Sequence, residues 1–366
     1  MSVMSAGQGG GAATRVSIVG LGPIALSTAA YLVDQGRQPL LWSPKERWHA
    51  PGIRGYAASF EGRITGPRQF PLAGQAADLA AWAETIVICL PGKWHKQAMD
   101  ALAPHLTPRH RVIISSHCSF GAQYLRRSLA SAGVEIPIIA WSTTLATCNP
   151  LGDRHFKVMT LRRVIDVATT PRRLSDEGLA VSIALFGPRF QPRDGVMAIA
   201  VSNVNPQNHL AICLCNLTRM EQGEVWNFNL NITETVSRLI DALDAERIGL
   251  ASDLGVAVRT VREHWHYTHD VPVLPIHEAT RAIEARGISF FGQRTHMTPW
   301  VLEDAPYGLA PLVALGEMAG RDMPLHRAGL ALLSALYGRD FAAENDLLAE
   351  VRLSAPDLTT LRALSE

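Results

Sequence analysis

Apolar positions fall along this chain in two rhythms. In the first half they come as short runs, Val16–Val19, Pro39–Trp42, Thr85–Leu90, Arg111–Ser115 and Ile136–Ala140, with helix-like stretches over Leu26–Val33 and Gln123–Ala132. Short apolar runs alternating with helices predict buried strands of a parallel sheet covered on both faces. Val158–Ala168 and Ala180–Phe186 read as outer strands and connections of the same unit. Beyond Ser202 the period lengthens to that of helices. Val236, Ile240, Leu243, Leu250 and Leu254 mark one stripe of a helix over Glu234–Leu254, closed by Gly255. His277–Arg286, Ala310–Ala319, Leu325–Leu336 and Asn345–Arg352 carry helical patterns as well.

The first strand runs directly into Gly20-Leu-Gly22-Pro23-Ile24-Ala25 and then into a helix. In such a loop Gly20 permits the tight turn, Gly22 lets backbone approach a pyrophosphate, and Ala25 lets helix and strand pack closely. The expected fold is therefore α/β plus α: an N-terminal Rossmann-like, doubly wound parallel sheet followed by a mainly helical C-terminal domain. Residues 1–14 read as a flexible leader, 15–201 as the dinucleotide-binding domain and 202–366 as the helical substrate domain. Leu90 and Pro91, where the third run ends, complete the expected cofactor contacts. The second run ends Trp42-Ser-Pro-Lys-Glu-Arg47, with Ser43, Lys45 and Arg47 suited to a ribose 2′-phosphate and Glu46 the dissenting acid. NADP(H) is expected over NAD(H); an ordinary solvated charge cluster is the alternative.

Composition narrows the class. Lys+Arg 34 against Asp+Glu 33 leaves a net charge of +1, so nothing draws the chain electrostatically to nucleic acid or an anionic membrane. With 47% hydrophobic and 18% charged residues, a large packed core is expected and disorder as the main state is excluded. The glycine-rich start lacks the apolar block of a signal peptide, and no apolar run reaches the roughly 18 residues of a membrane span. Cys89, Cys118, Cys148, Cys213 and Cys215 form no CxxC pair and read as reduced thiols of a cytoplasmic protein.

Several segments resemble a known family. Asn203-Val-Asn-Pro-Gln-Asn-His209-Leu, Leu217–Gly223, Leu239–Arg247 and Glu303-Asp-Ala-Pro-Tyr-Gly-Leu-Ala-Pro311 match, in order and spacing, the C-terminal domain of opine dehydrogenases of the octopine/nopaline type. The glycine loop, Ile114–Gln123 and Trp141-Ser-Thr-Thr-Leu145 are most similar to the branch that makes opine metallophores of the staphylopine and pseudopaline kind. The chain departs from the family pattern at Thr147, Leu210 and Pro299-Trp300. The resemblance implies NAD(P)H-dependent reductive condensation: an amine and a 2-oxo acid such as pyruvate or 2-oxoglutarate form an imine, which hydride reduces to an opine. It also implies small-molecule partners, a homodimer and metallophore biosynthesis as one setting. A 2-keto/3-hydroxy acid reductase and a non-catalytic NADP(H)-sensing protein share the architecture and remain alternatives.

On the matching positions the resemblance makes His209 the general acid/base, since imidazole exchanges protons near neutral pH. Asp304 becomes the carboxylate that orients it; capping the following helix is its other expected role. Arg247 sits on the apolar stripe beside Leu243 and Leu250, where a charge needs a partner. It is expected to bind a substrate carboxylate, with snorkelling or a structural ion pair as alternatives. Asn205 and Tyr267 are the remaining candidate substrate contacts. His264-Trp-His266-Tyr-Thr-His269 reads as an aromatic-rich wall of the substrate cleft rather than a metal site, and Cys213-x-Cys215 as core.

Overall fold

The computed structural model describes residues 14–45 and 54–366. The leader up to residue 13, together with Glu46 and Arg47, lies outside the described residues. Eleven described strands are β1 Arg15–Val19, β2 Gln38–Trp42, β3 Gly55–Gly62, β4 Gly66–Pro71, β5 Thr85–Ile88, β6 Arg111–Ile114, β7 Ile138–Trp141, β8 Ala146–Gly152, β9 His155–Leu161, β10 Ile165–Thr170 and β11 Phe190–Pro192. Seven form the main sheet in the order β11-β10-β7-β6-β5-β1-β2. The five strands read from the sequence form its contiguous parallel part, β7-β6-β5-β1-β2. The Rossmann-like sheet and the helical second half agree with the fold class expected above.

Two differences from that expectation have clear physical causes. Ala180–Phe186 is not a strand but the end of the helix Ser175–Phe186, whose buried positions Gly178, Ser182, Leu185 and Phe186 recur at helical spacing. Val158–Ala168 divides into β9 and β10, which belong to different sheets: β10 joins the main sheet antiparallel to β7, and β9 joins a second sheet ordered β4-β3-β9-β8. These strands show alternating burial, with Tyr56, Ala58 and Phe60 inward, because only one face packs on the core.

The pleat of the central strands explains how the two halves are joined. Ile86 and Ile88 of β5 face one core, and Val87 faces the other. The second core holds the helix Pro23–Asp34 between the main sheet and the smaller one. The first runs without a break into the C-terminal helices through Leu210, Ile240 and Leu315. Helices Glu234–Asp253, Ile276–Ala285, Ala310–Ala319, Pro324–Tyr337 and Asp346–Ser354 lie within two residues of the expected segments. Asn205–Glu221 is an additional 17-residue helix whose polar start concealed it. The chain end returns to the sheet domain, where Gln123 donates to the Ser365 hydroxyl at 3.0 Å. No helix among the described residues is long and apolar enough to cross a membrane.

Arg247 departs from the expectation of a substrate ligand. Its side chain is fully buried on the helix Glu234–Asp253. Nε and Nη2 donate to Asp244 Oδ1 at 2.9 and 2.6 Å, while Nη1 and Nη2 reach the carbonyls of Val201 and Arg259. The second Asp244 oxygen accepts from Val261 N–H, so the ion pair ties this helix to the next one. Replacing one partner leaves the other charge buried, at a cost of roughly 3–5 kcal/mol. Arg247→Met should therefore lower the denaturant midpoint sharply. A variant of wild-type stability with weakened substrate binding would return Arg247 to the substrate.

Candidate active site

The site is built on the carboxyl edge of β1, β5 and β6, where loops and helix N-termini converge in folds of this kind. Gly20 has φ +132°, and a Cβ there would lie 2.5 Å from the carbonyl of Cys89, so only glycine fits between β1 and β5. The N-terminus of the helix Pro23–Asp34 has no side-chain cap and no acid in its first turn. Space opens at the Gly22 α-carbon, and buried Ala25 packs beneath Gly20. Uncapped N–H groups facing an open loop suit an anion, so a dinucleotide pyrophosphate fits the residues present.

The tip of β2 adds to this cradle. Ser43 is buried, and its hydroxyl accepts from Lys45 N–H at 3.4 Å. Lys45 Nζ stands 4.8 Å from the Trp94 ring centre and Lys93 Nζ 5.9 Å from it. Lys93 was not anticipated, since its proximity depends on the β5 loop meeting the β2 tip. That loop carries Leu90 and Pro91, and His95 Nε2 donates to the Leu90 carbonyl at 2.8 Å. Burial pushes His95 down to about 4, so it remains a neutral positioning group.

Across the cleft the helix Asn205–Glu221 carries His209 one turn from its start. Pro206 packs directly on Gly308, which brings this helix against the Glu303–Gly308 segment. His209 Nδ1 lies 2.5 Å from Asp304 Oδ2, both side chains being about one-fifth exposed, 17% and 20%. Asp304 makes no capping bond to the turn that follows it, so its carboxylate is committed to the histidine. This partner fixes the tautomer with the proton on Nδ1 and leaves Nε2 as the basic nitrogen. Trp300 stacks on the imidazole with ring centres 4.5 Å apart and planes 3° from parallel. Trp300 is one of the departures from the family pattern. Another, Leu210, packs on Gly329 in the core.

Glu303 and Tyr307 seat the Glu-Asp segment on the loop that follows β5. Glu303 Oε1 accepts from Gly92 N–H at 3.0 Å, and the Tyr307 ring lies where any Gly92 Cβ would stand, 2.7 Å away. Burial raises the Glu303 carboxyl above its ordinary range. Beside Tyr307 a small cavity is lined by His117, Cys118, Asn203 and Pro206. His117 Nε2 accepts from Ala122 N–H, so its buried, unpartnered Nδ1–H is a donor. Burial holds its ring at about 3, and burial also raises the Cys118 thiol. His117 lies within a segment read only for family likeness, and no spacing rule marked it as a donor.

The remaining candidates separate. Asn205 is exposed on the same helix face as His209, four residues before it. Tyr267 is 66% exposed and lies under the Arg259 guanidinium, 5.0 Å away. The neighbouring Trp265 joins Phe228, which meets Trp300 edge-on, so Trp265 belongs to the row of rings that ends on His209. His266 Nδ1 donates to the Val271 carbonyl at 2.6 Å. Among the described residues no group of three His, Cys, Asp or Glu side chains is placed to hold a metal.

Known proteins resemble this chain in both sequence and fold. Residues 192–337 match the model for the NAD/NADP octopine/nopaline dehydrogenase alpha-helical domain. An opine dehydrogenase from Arthrobacter sp. (strain 1C) is 28% identical over 355 residues, covering 96% of this chain and 98% of that relative. The structure of octopine dehydrogenase with NADH and pyruvate superposes with a TM-score of 0.74 at 14% identity, over 96% of this chain and 98% of the other. Yersinopine dehydrogenase bound to NADP+ gives 0.71 at 14% identity, over 94% and 99%. Along nearly its whole length the chain is thus similar to an opine dehydrogenase, and residues 192–337 match that family's alpha-helical domain.

Proposed function

We propose that this protein is an NADP(H)-dependent opine dehydrogenase that condenses an amine donor with a 2-oxo acid, pyruvate or 2-oxoglutarate, and reduces the imine. The observation that carries the reading is the His209–Asp304 pair, held at 2.5 Å next to the Glu303 contact with the β5 loop. Likeness of the N-terminal motifs to the metallophore-making branch supports an opine metallophore as the product class.

Nε2 of neutral His209 takes a proton from the donor ammonium, freeing the lone pair that attacks C2 of the oxo acid. The imidazolium, stabilised by the Asp304 carboxylate, returns a proton to the carbinolamine hydroxyl, which leaves as water. The nitrogen lone pair forms the C=N bond, and the protonated imine is left as electrophile. Hydride is what the reduced nicotinamide supplies when bound. Trp300 stacking holds the imidazole plane, so that Nε2 keeps one direction through both transfers. Gly20, Gly22, Pro23, Ile24 and Ala25 hold the pyrophosphate, and Ser43 with Lys45 and Arg47 receives the 2′-phosphate.

His209→Asn keeps a donor toward Asp304 and removes the base, so turnover should fall by about 10²–10⁴ with NADPH binding intact. Single-turnover NADPH oxidation with a preformed cyclic imine locates the defect: rescue confines His209 to condensation, and wild-type speed in the full reaction removes it from the mechanism. NADPH consumption with pyruvate or 2-oxoglutarate must depend on added amine. Amine-independent reduction would make the protein a keto-acid reductase.

Lys45→Ala combined with Arg47→Ala should raise the KM for NADPH by about ten- to a hundredfold, as expected for lost charge-assisted phosphate contacts. The KM for NADH should stay near its starting value. Equal weakening of both cofactors would overturn the NADP(H) assignment.

A further inference from the structure

The loop after β6, residues 115–120, is held in a conformation its residues do not favour. Ser116, Ser119 and Phe120 have φ of 68°, 49° and 60°, a region that side chains other than glycine rarely enter. Bonds to three other segments keep it there. His117 N–H donates to the Trp141 carbonyl at 2.8 Å, the Ser119 hydroxyl donates to the Tyr307 carbonyl at 2.9 Å, and Asn345 donates to that hydroxyl in turn.

So held, His117 lies on the wall of the cavity it shares with Asn203, Pro206, Tyr307 and Gly308. Pro206 stands one helical turn before His209, and Gly308 one turn after Asp304, so the cavity borders the His209–Asp304 pair. Its volume, about 20 Å³, admits one oxygen-sized group. No Lys or Arg lines it, which disfavours a carboxylate there. A neutral oxygen is favoured, because the wall carries a neutral donor. His117 Nε2 accepts from Ala122 N–H at 3.1 Å, a group that can only donate, so the ring proton is on Nδ1. That Nδ1 has no hydrogen-bond acceptor, in a residue only 3% exposed. Gln123 neighbours the ring, yet its Oε1 closes no hydrogen bond either. Burial holds the imidazole at about 3, so at neutral pH it is a donor without charge.

We infer that His117 is a further catalytic residue: its Nδ1–H binds the C2 oxygen of the 2-oxo acid and polarises that carbonyl for attack by the amine. The inference rests on the proposed reductive condensation for the identity of the acceptor. As the amine lone pair forms the N–C2 bond, the C2–O π pair moves onto oxygen, and the hydrogen bond from Nδ1–H strengthens with the developing charge. The oxygen takes one proton from the attacking nitrogen and a second from the His209 imidazolium, and leaves as water. His117 gives up no proton and ends the cycle as it began. Because its donor is fixed before the reaction, it stabilises the adduct more than the planar oxo acid, and so acts on turnover. The carboxamide oxygen of the nicotinamide has the same acceptor chemistry, and the test separates the two.

The test reads the carbonyl directly. Pyruvate or 2-oxoglutarate, isotopically labelled at C2, is bound to the NADP+-loaded enzyme, which cannot reduce it, and the C2=O stretch is recorded by isotope-edited infrared difference spectroscopy. In the wild type the band should lie below its position in water, and in His117→Phe it should move back up. His117→Gln, which restores a donor, should return part of the shift. Turnover of His117→Phe should fall by about 10²–10³, with the KM for NADPH near its wild-type value. An unshifted wild-type band, the full shift in folded His117→Phe, or no binding of either oxo acid overturns the assignment. A defect confined to NADPH binding also overturns it and gives the N–H to the carboxamide. Lowered thermal stability with normal turnover would make His117 structural. Should His117→Phe not fold, isotopically labelled histidine in the wild type decides: the Nδ1 proton resonance should move downfield when the oxo acid binds, and a stationary resonance overturns the proposal. A shifted band that depends on His117, in an enzyme reducing the oxo acid without any amine, refutes condensation and supports His117 as the carbonyl donor.

Discussion

The contact at Gly92 governs the site. The β5 loop offers an N–H and a bare α-carbon, and Glu303 and Tyr307 take them up together. Because Asp304 follows Glu303 directly, this contact sets where the carboxylate stands relative to the edge that carries the phosphate loop. Pro206 on Gly308 then sets the start of the His209 helix against the same segment. Tyr307 also reaches outward, its hydroxyl near Asp346 at 3.2 Å, and its carbonyl accepts from Ser119, which in turn receives a bond from Asn345. A short polar-aromatic segment thus carries four separate attachments, and the geometry of the His209–Asp304 pair follows from them.

Buried charges divide by how they are satisfied. Asp244 and Arg247 neutralise one another inside the helical half and cross-link helices. Asp166, at the edge of β10, gathers Arg193 and Arg259 and so attaches the helical half to the sheet. In a low-dielectric setting such pairs give direction more than net stability, since desolvation offsets most of the attraction. Arg162 has the burial without the partner, which is why it stands apart from the structural pairs.

The sequence carried the architecture because burial leaves a periodic trace. Strands covered on both faces appear as unbroken apolar runs, and the helix Glu234–Asp253 appears as a stripe. The phosphate loop was legible for a different reason: Gly20 and Ala25 answer local demands, a positive φ and a close helix–strand contact, that few other residues meet. The second sheet was not legible, since β3 and β4 alternate weakly and β3 pairs with β9 across nearly a hundred residues. Ser175–Phe186 was misread because a short apolar run has no unique period.

His209 and Asp304 drew attention through family motifs, and pattern and loop chemistry indicated the α/β-plus-α fold class and a glycine loop suited to an anion. Tertiary structure alone decided the rest. Whether Arg247 faces a ligand or an aspartate depends on what a neighbouring helix presents to it, and Asp244 proved to be that partner. Trp300 stacks on His209 across 91 residues of chain, and Trp265 meets Phe228 because helix rotation turns its face inward. A sequence records which residues prefer burial or charge. It does not record which buried charge is left without a partner, because partners are chosen by packing between segments distant along the chain.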